Sequence, residues 1–199
     1  MILEAIVSSL SPEGNVNFAP MGVHILESDH KPEPVNSFVL RLFSNSQTYE
    51  NLRSTGQGVI NFTQDVAVFV ETALYSKCLP YVPSQRVCPP SLADVQTLWE
   101  FKVIRFDDSI EPAFVEGQVE HRVERAGYGG FCRAQSAVLE ATIAATRWQW
   151  LPKLNITDPW PMWSDIVRKT GGKRERQAFN RVSLFLMERG IQVAGVPES

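Results

Sequence analysis

Polar and apolar positions along the chain follow two different rhythms, with the change near Gly127. Before it, short apolar runs alternate with turn signals. "LEAIVSSL" and "VNFAPMGVHIL" flank "SPEGN" (11–15), where Pro, Gly and Asn supply turn angles, so residues 2–26 are predicted to form a hairpin. Pro20 cannot donate to a strand ladder and marks an edge, a bulge or an irregular stretch in the second arm. "SDHKPEP" (28–34) is a polar turn, and "NSFVLRLF" (36–43), "QGVINFT" (57–63) and "TLWEFKVIRF" (97–106) are further strands. "VAVFVETALY" (66–75) fits a helix or a strand. In "FVEGQVEHRVERAG" (114–127), Val115, Gly117, Val119, His121 and Val123 fall on one side and Glu116, Gln118, Glu120, Arg122 and Glu124 on the other. This period of two predicts a half-buried strand with His121 facing inward, as a hydrogen-bonded core histidine or a catalytic one. Six or so strands with antiparallel turns suggest a small closed or split β-barrel.

After "YGGFC" (128–132) the period becomes helical. "RAQSAVLEATIAATRWQWL" (133–151) carries its charges at Arg133, Glu140 and Arg147, spaced by seven and so aligned along one seam of a helix. That seam is either a solvated stripe or a face for a polar ligand or partner. "TDPW" (157–160) opens the next helix, with Asp158 as cap and Pro159 at the first helical position, and "TGG" (170–172) ends it. A last helix runs from about Lys173 to Glu188 and stops at Gly190. Arg168, Lys169, Lys173, Arg174 and Arg176 cluster around "TGG", as a solvated helix junction or a dock for a phosphorylated ligand. The predicted fold class is therefore α+β and mainly β: a barrel over residues 1–130 and a helical subdomain over 131–199, packed on it. The proline-rich segment "KCLPYVPSQRVCPPS" (77–91) can continue neither element and is a long surface loop.

Composition removes several function classes. The 199 residues are 44% apolar, enough for a sizeable core. The net charge of −3 argues against a nucleic-acid binder, because neutralising phosphates needs an excess of Lys and Arg. No run approaches the ~18 apolar residues of a membrane-spanning helix. His24, His30 and His121 have no metal-ligand spacing, and no metal is expected. Cys78, Cys88 and Cys132 are odd in number, without a Cys-x-x-Cys pair, and the N-terminus has no basic region of a secretion signal. Together these predict a cytoplasmic protein.

The densest candidate chemistry lies in "RLFSNSQTYENL" (41–52). Arg41 ends an apolar run, five uncharged polar residues follow, and Thr48 fits the cap of a short helix. A helix N-terminus with one cation and hydroxyls around it forms a phosphate cradle; the same residues also make ordinary turns.

The pattern "S-x-T-x-x-N-L", followed by a glycine and then "V-x-N-F", resembles the phosphate-binding segment of flavin-reductase-like, FMN-binding split barrels. The resemblance implies FMN as cofactor, with its phosphate at Arg41, Ser46, Thr48 and Asn51 and with Asn61 and Phe62 on the following strand. "EAIVSSLSPEGNVNFAPMGV", the helix residues Arg133, Glu140, Ala141, Ala145, Thr146 and Arg147, and Thr170–Gly172 resemble one branch of that superfamily, domain-of-unknown-function family 447. The proline-rich loop departs from its pattern. By the same resemblance the flavin ring lies against "NFAPMGV", which brings in Asn17, Ala19, Pro20 and Met21. It also implies a homodimer closing the site and an FMN-dependent oxidoreductase, tied to tetrahydromethanopterin-dependent one-carbon metabolism. The alternatives are a flavin carrier or sensor without turnover, and a relative that binds another phosphorylated ligand. No catalytic acid or base stands out.

Overall fold

The computed structural model describes residues 2–25, 36–125 and 132–197; the predicted turn at 28–34 and most of "YGGFC" lie outside them. Two compact units result. One comprises Met1–Thr63 with Cys78–Gly127, the other Gln64–Lys77 with Tyr128–Ser199. Residues 64–77, which the sequence pattern assigned to the barrel half, thus belong to the helical unit.

In the first unit, strands β1 (Ile2–Leu10), β2 (Val16–Ile25), β3 (Ser37–Leu42), β4 (Gln57–Phe62), β7 (Thr97–Asp107) and β8 (Ala113–Glu124) close a barrel in the order β1-β2-β3-β8-β7-β4. Every pairing is antiparallel. The β1–β2 turn uses Gly14 at φ 88°, in the left-handed region. Helix α1 (Gln47–Thr55) buries Tyr49 and Leu52 in the same apolar cluster as Ala5, Val7, Leu40, Ile60 and Val115, and so plugs one end of the barrel.

The interior is crowded enough to require glycine on two strands. A Cβ on Gly58 would come within 2.7 Å of the Phe101 ring, and one on Gly117 would overlap the Phe38 ring. Phe38 and Phe101 meet edge to face at 5.0 Å between centroids.

The clean alternation of β8 does not survive intact. Val119 opposes Phe101 while His121 opposes Glu100, so Glu120 is the extra residue of a bulge. Beyond it the faces exchange. Arg122 lies over the Trp99 ring at 4.7 Å, on the inner side, and His121 shares the outer side with Glu100. The expectation that His121 faces the barrel interior is corrected by that one inserted residue. Among the described residues, His121 Nε2 and Arg122 Nη2 are buried without a hydrogen-bond partner. Burial holds the Arg122 pKa below the usual guanidinium range.

The second unit is helical: α2 (Val66–Leu74), α3 (Arg133–Thr146), α4 (Leu154–Thr157), α5 (Trp160–Thr170) and α6 (Lys173–Met187). The ambiguous segment 66–75 is a helix because Asp65 caps it, accepting from Ala67 N at 3.1 Å. Asp158 follows α4, and Pro159 stands at the N-cap of α5. Val70, Val138, Ala141, Trp160, Phe179 and Val182 form the core. Arg133, Glu140 and Arg147 are exposed along α3, as a solvated seam would be. The basic cluster is largely engaged inside the unit. Arg168 and Lys169 pair with Asp165, Arg174 pairs with Asp65, and Arg176 donates to the carbonyls of Gly171 and Arg168. No described helix is long and apolar enough to cross a membrane.

Gly117→Ala should destabilise the barrel by about 1–3 kcal/mol, because the Phe38 ring has to leave its position. Urea unfolding followed by near-ultraviolet dichroism measures this.

Candidate functional site

Strand β2 is paired with β1 from Val16 to His24, but on its other edge only His24 and Ile25 meet β3. Among the described residues, the backbone of positions 16–22 therefore has a free edge, and the barrel is split there. Free strand edges present alternating N–H and C=O groups to whatever lies alongside. Asn17, Ala19, Pro20 and Met21 all lie on this edge. Asn17, Ala19 and Met21 share the inward face with Ser9, Val7 and Ala5 opposite them.

The split leads to the start of α1. Ser46, not Thr48, is the N-cap: its Oγ accepts from Tyr49 N at 3.3 Å and donates to Phe43 O at 2.8 Å. Thr48 is buried and accepts from Asn17 Nδ2 at 3.0 Å, which ties the helix to β2. Asn51 is buried as well, donating to Ser9 Oγ at 3.0 Å and accepting from Gln47 Nε2 at 2.9 Å. The hydroxyl and amide side chains of this stretch thus fix α1 on the β1–β2 hairpin. The donors left over are backbone. The N–H groups of Gln47 and Thr48, the first two of the helix, have no partner among the described residues. Such groups, together with the helix dipole, attract anions.

Arg41 is exposed on the outer face of β3. Its guanidinium lies 5.0 Å from the centre of Phe114, directly across on β8, and Arg105 approaches the same ring at 5.2 Å. β8 flanks β3 on the side away from β2, so in this conformation Arg41 leans away from the split. Nearby, Glu111 accepts from Ser44 N at 2.9 Å. On α1, Arg53 donates to the Tyr49 hydroxyl and pairs with Asp108 at 2.7 Å. The Tyr49 contact first, and Asp108 second, hold its guanidinium pKa above the usual value.

Asn61 and Phe62 are not part of this arrangement. Phe62 ends β4, at the opposite end of the strand from α1, and packs on Trp99 at 4.8 Å. Asn61 is fully buried on the outer wall. Its Nδ2 donates to Ile6 O and Ser8 Oγ, and its Oδ1 accepts from Leu92 N at 2.9 Å. Every polar atom of Asn61 is engaged within the protein, and none of its surface is open in this conformation. Asn61 latches the proline-rich loop. Ser8 Oγ donates to Pro90 O at 2.6 Å, and buried Glu100 accepts from Gln85 N and Arg86 N at 2.9 and 2.5 Å. Within the loop a short hairpin pairs β5 (Tyr81–Val82) with β6 (Ser91–Leu92). The one sequence signal for this latch is the acid of "LWEF", isolated in an apolar run.

An antiparallel barrel split along one strand and plugged by a short helix is the fold of the flavin-reductase-like, FMN-binding split barrels. The chain belongs to the DUF447 family, described as protein of unknown function: residues 3–126 match its N-terminal domain and residues 132–183 its second part. It is similar to an FMN-bound protein of that family from Methanosarcina mazei, at 23% identity over 93% of this chain and 95% of that one, with a TM-score of 0.77. More distant likenesses are nitrilotriacetate monooxygenase component B from Bacillus cereus (17% identity, 68% and 78% coverage, TM-score 0.51) and flavoredoxin of Desulfovibrio vulgaris (17%, 62% and 70%, 0.50).

Asn61→Leu should release the loop while retaining side-chain size. It leaves Leu92 N without its acceptor and removes the donor to Ser8 Oγ, at a cost of about 1–3 kcal/mol. Limited proteolysis should then cut within 78–92 faster than in the wild type; an unchanged cleavage pattern would show that the latch is not what holds the loop.

Proposed function

We propose that the chain binds FMN in the split, with the phosphate at the N-terminus of α1 and the ring along the free edge of β2. The observation that carries this reading is the meeting of two unsatisfied backbone surfaces: the Gln47 and Thr48 N–H groups and the unpaired edge at 16–22. Their chemistry fits the two ends of FMN. A phosphate accepts from helix-terminal N–H groups. The pyrimidine edge of a flavin alternates acceptor, donor and acceptor, as the free edge of a strand does. The Methanosarcina relative, described as FMN-bound, supports the same choice.

In this reading Ser46, Thr48, Asn51 and Asn17 position the donors rather than contacting the phosphate themselves. Arg41 supplies the cation by turning from Phe114 toward the split, and Ala19 and Met21 line the ring. Bound FMN would supply hydride and single-electron transfer, which needs no protein nucleophile. The function is accordingly an FMN-dependent oxidoreductase. The resemblance implies that its substrate belongs to tetrahydromethanopterin-linked one-carbon chemistry. We further propose a homodimer, because a second copy would cover the free edge. Sedimentation equilibrium of the flavin-loaded protein should give the mass of two chains, and a single-chain mass would refute it.

Two substitutions test the phosphate site. Arg41→Ala removes one charge-assisted contact, of about 1.5–3 kcal/mol. FMN should weaken at least about tenfold while riboflavin, which lacks the phosphate, is nearly unaffected. Gln47→Pro removes one backbone donor at a helix position that favours proline, and Ser46 at φ −97° and ψ 144° already has the conformation a following proline requires. It should lower FMN affinity more than riboflavin affinity; the loss of the Gln47 Nε2–Asn51 Oδ1 bond also lowers stability, which weakens both flavins alike. Equal losses for both flavins in either variant would place the phosphate elsewhere.

A further inference from the structure

The proline-rich loop carries one feature that its latching role does not explain. Tyr81 is a large aromatic side chain, 49% exposed, on a segment held rigidly in place. It lies in the β5–β6 hairpin directly opposite Leu92, whose N–H is fixed by Asn61. Its ring stands 6.1 Å from that of Phe18, tilted by 45°. Phe18 is a residue of the free stretch of β2, on the face opposite Ala19 and Met21. Tyr81 therefore forms the outer lip of the split, with one side against Phe18 and the rest open. An aromatic ring ordered by its backbone offers a planar ligand a contact surface that needs little further ordering.

We infer that Tyr81 is a positioning residue for the flavin ring: its ring borders the isoalloxazine from the outer side of the split and limits which face a substrate can approach. The inference rests on the FMN reading and deepens it. It assigns the proline-rich loop to shaping the reactive end of the site. Chemically, the arrangement admits planar or small electron donors and acceptors that fit between Tyr81 and the ring.

The test uses the full chain with Tyr81→Ala and Tyr81→Phe. FMN and riboflavin affinities are measured by titration, along with the fluorescence of the bound flavin and the melting temperature of the flavin-free protein. Tyr81→Ala should weaken FMN and riboflavin alike by at least about fivefold, as expected for a lost stacking contact. Bound-flavin fluorescence should rise, because a nearby tyrosine quenches flavins by electron transfer. Tyr81→Phe should keep the affinity and still raise the fluorescence, a separation that a purely structural role does not produce. The melting temperature should stay unchanged in both variants. If Tyr81→Ala binds both flavins as the wild type does, with unaltered fluorescence, the inference is wrong while the FMN reading stands. A loss of affinity accompanied by a lowered melting temperature, with Tyr81→Phe spectrally identical to wild type, also overturns it. A wild-type chain that binds neither flavin refutes both.

Discussion

The incomplete pairing of β2 is the constraint around which the first unit is organised. Nine consecutive positions of β2 face β1, yet only His24 and Ile25 face β3. A barrel of six strands can close through its other five seams and leave one partly open only if the flanking strands are held from elsewhere. β1 and β2 are held by α1 through Thr48–Asn17 and Asn51–Ser9. β1 and β4 are held on the outside by Asn61 and Ser8 under the proline-rich loop. The β2 side of the opening is thus a maintained feature, fixed by polar side chains through β1 and its neighbours. Each is partnered and all but half-buried Asn17 are buried, the condition under which buried polar groups contribute rigidity instead of cost.

Several polar residues that the sequence offers as ligands are engaged within the protein in this conformation. Short hydroxyl and amide side chains next to a helix start can meet a ligand or the neighbouring backbone, and residue type does not distinguish the two. In "RLFSNSQTYENL" the hydroxyls of Ser46 and Thr48 and the amide of Asn51 are engaged within the protein, Thr48 with Asn17 of β2, and the free donors are main-chain N–H groups. Asn61 shows the same ambiguity at longer range, because its partner Leu92 is thirty-one residues away in sequence. Long-range latches leave no local pattern.

The fold was far more legible. The hairpin at 2–26, the strands at 36–43, 57–63 and 97–106 and the helices after residue 132 follow from periods of two and 3.6 with turn residues between them. The errors are as instructive. One inserted residue, Glu120, moves His121 and Arg122 to opposite faces from those that strict alternation assigns, because the side-chain period of a strand has no memory across a bulge. Segment 66–75, apolar but for Glu71 and Thr72, has no clear period to read. Its helicity is set by Asp65 and by packing against α3 and α6.

The crossed rings of Phe38 and Phe101 have a consequence for descent. Each ring fills volume that a glycine on the adjacent strand vacates, Gly117 for Phe38 and Gly58 for Phe101. The four positions therefore behave as two exchangeable volume pairs rather than four independent sites. In a relative where position 38 has become small, position 117 is free to gain a side chain, and the reverse order of events passes through a clash. Drift in this barrel wall is consequently directional: the ring must shrink before the glycine can grow.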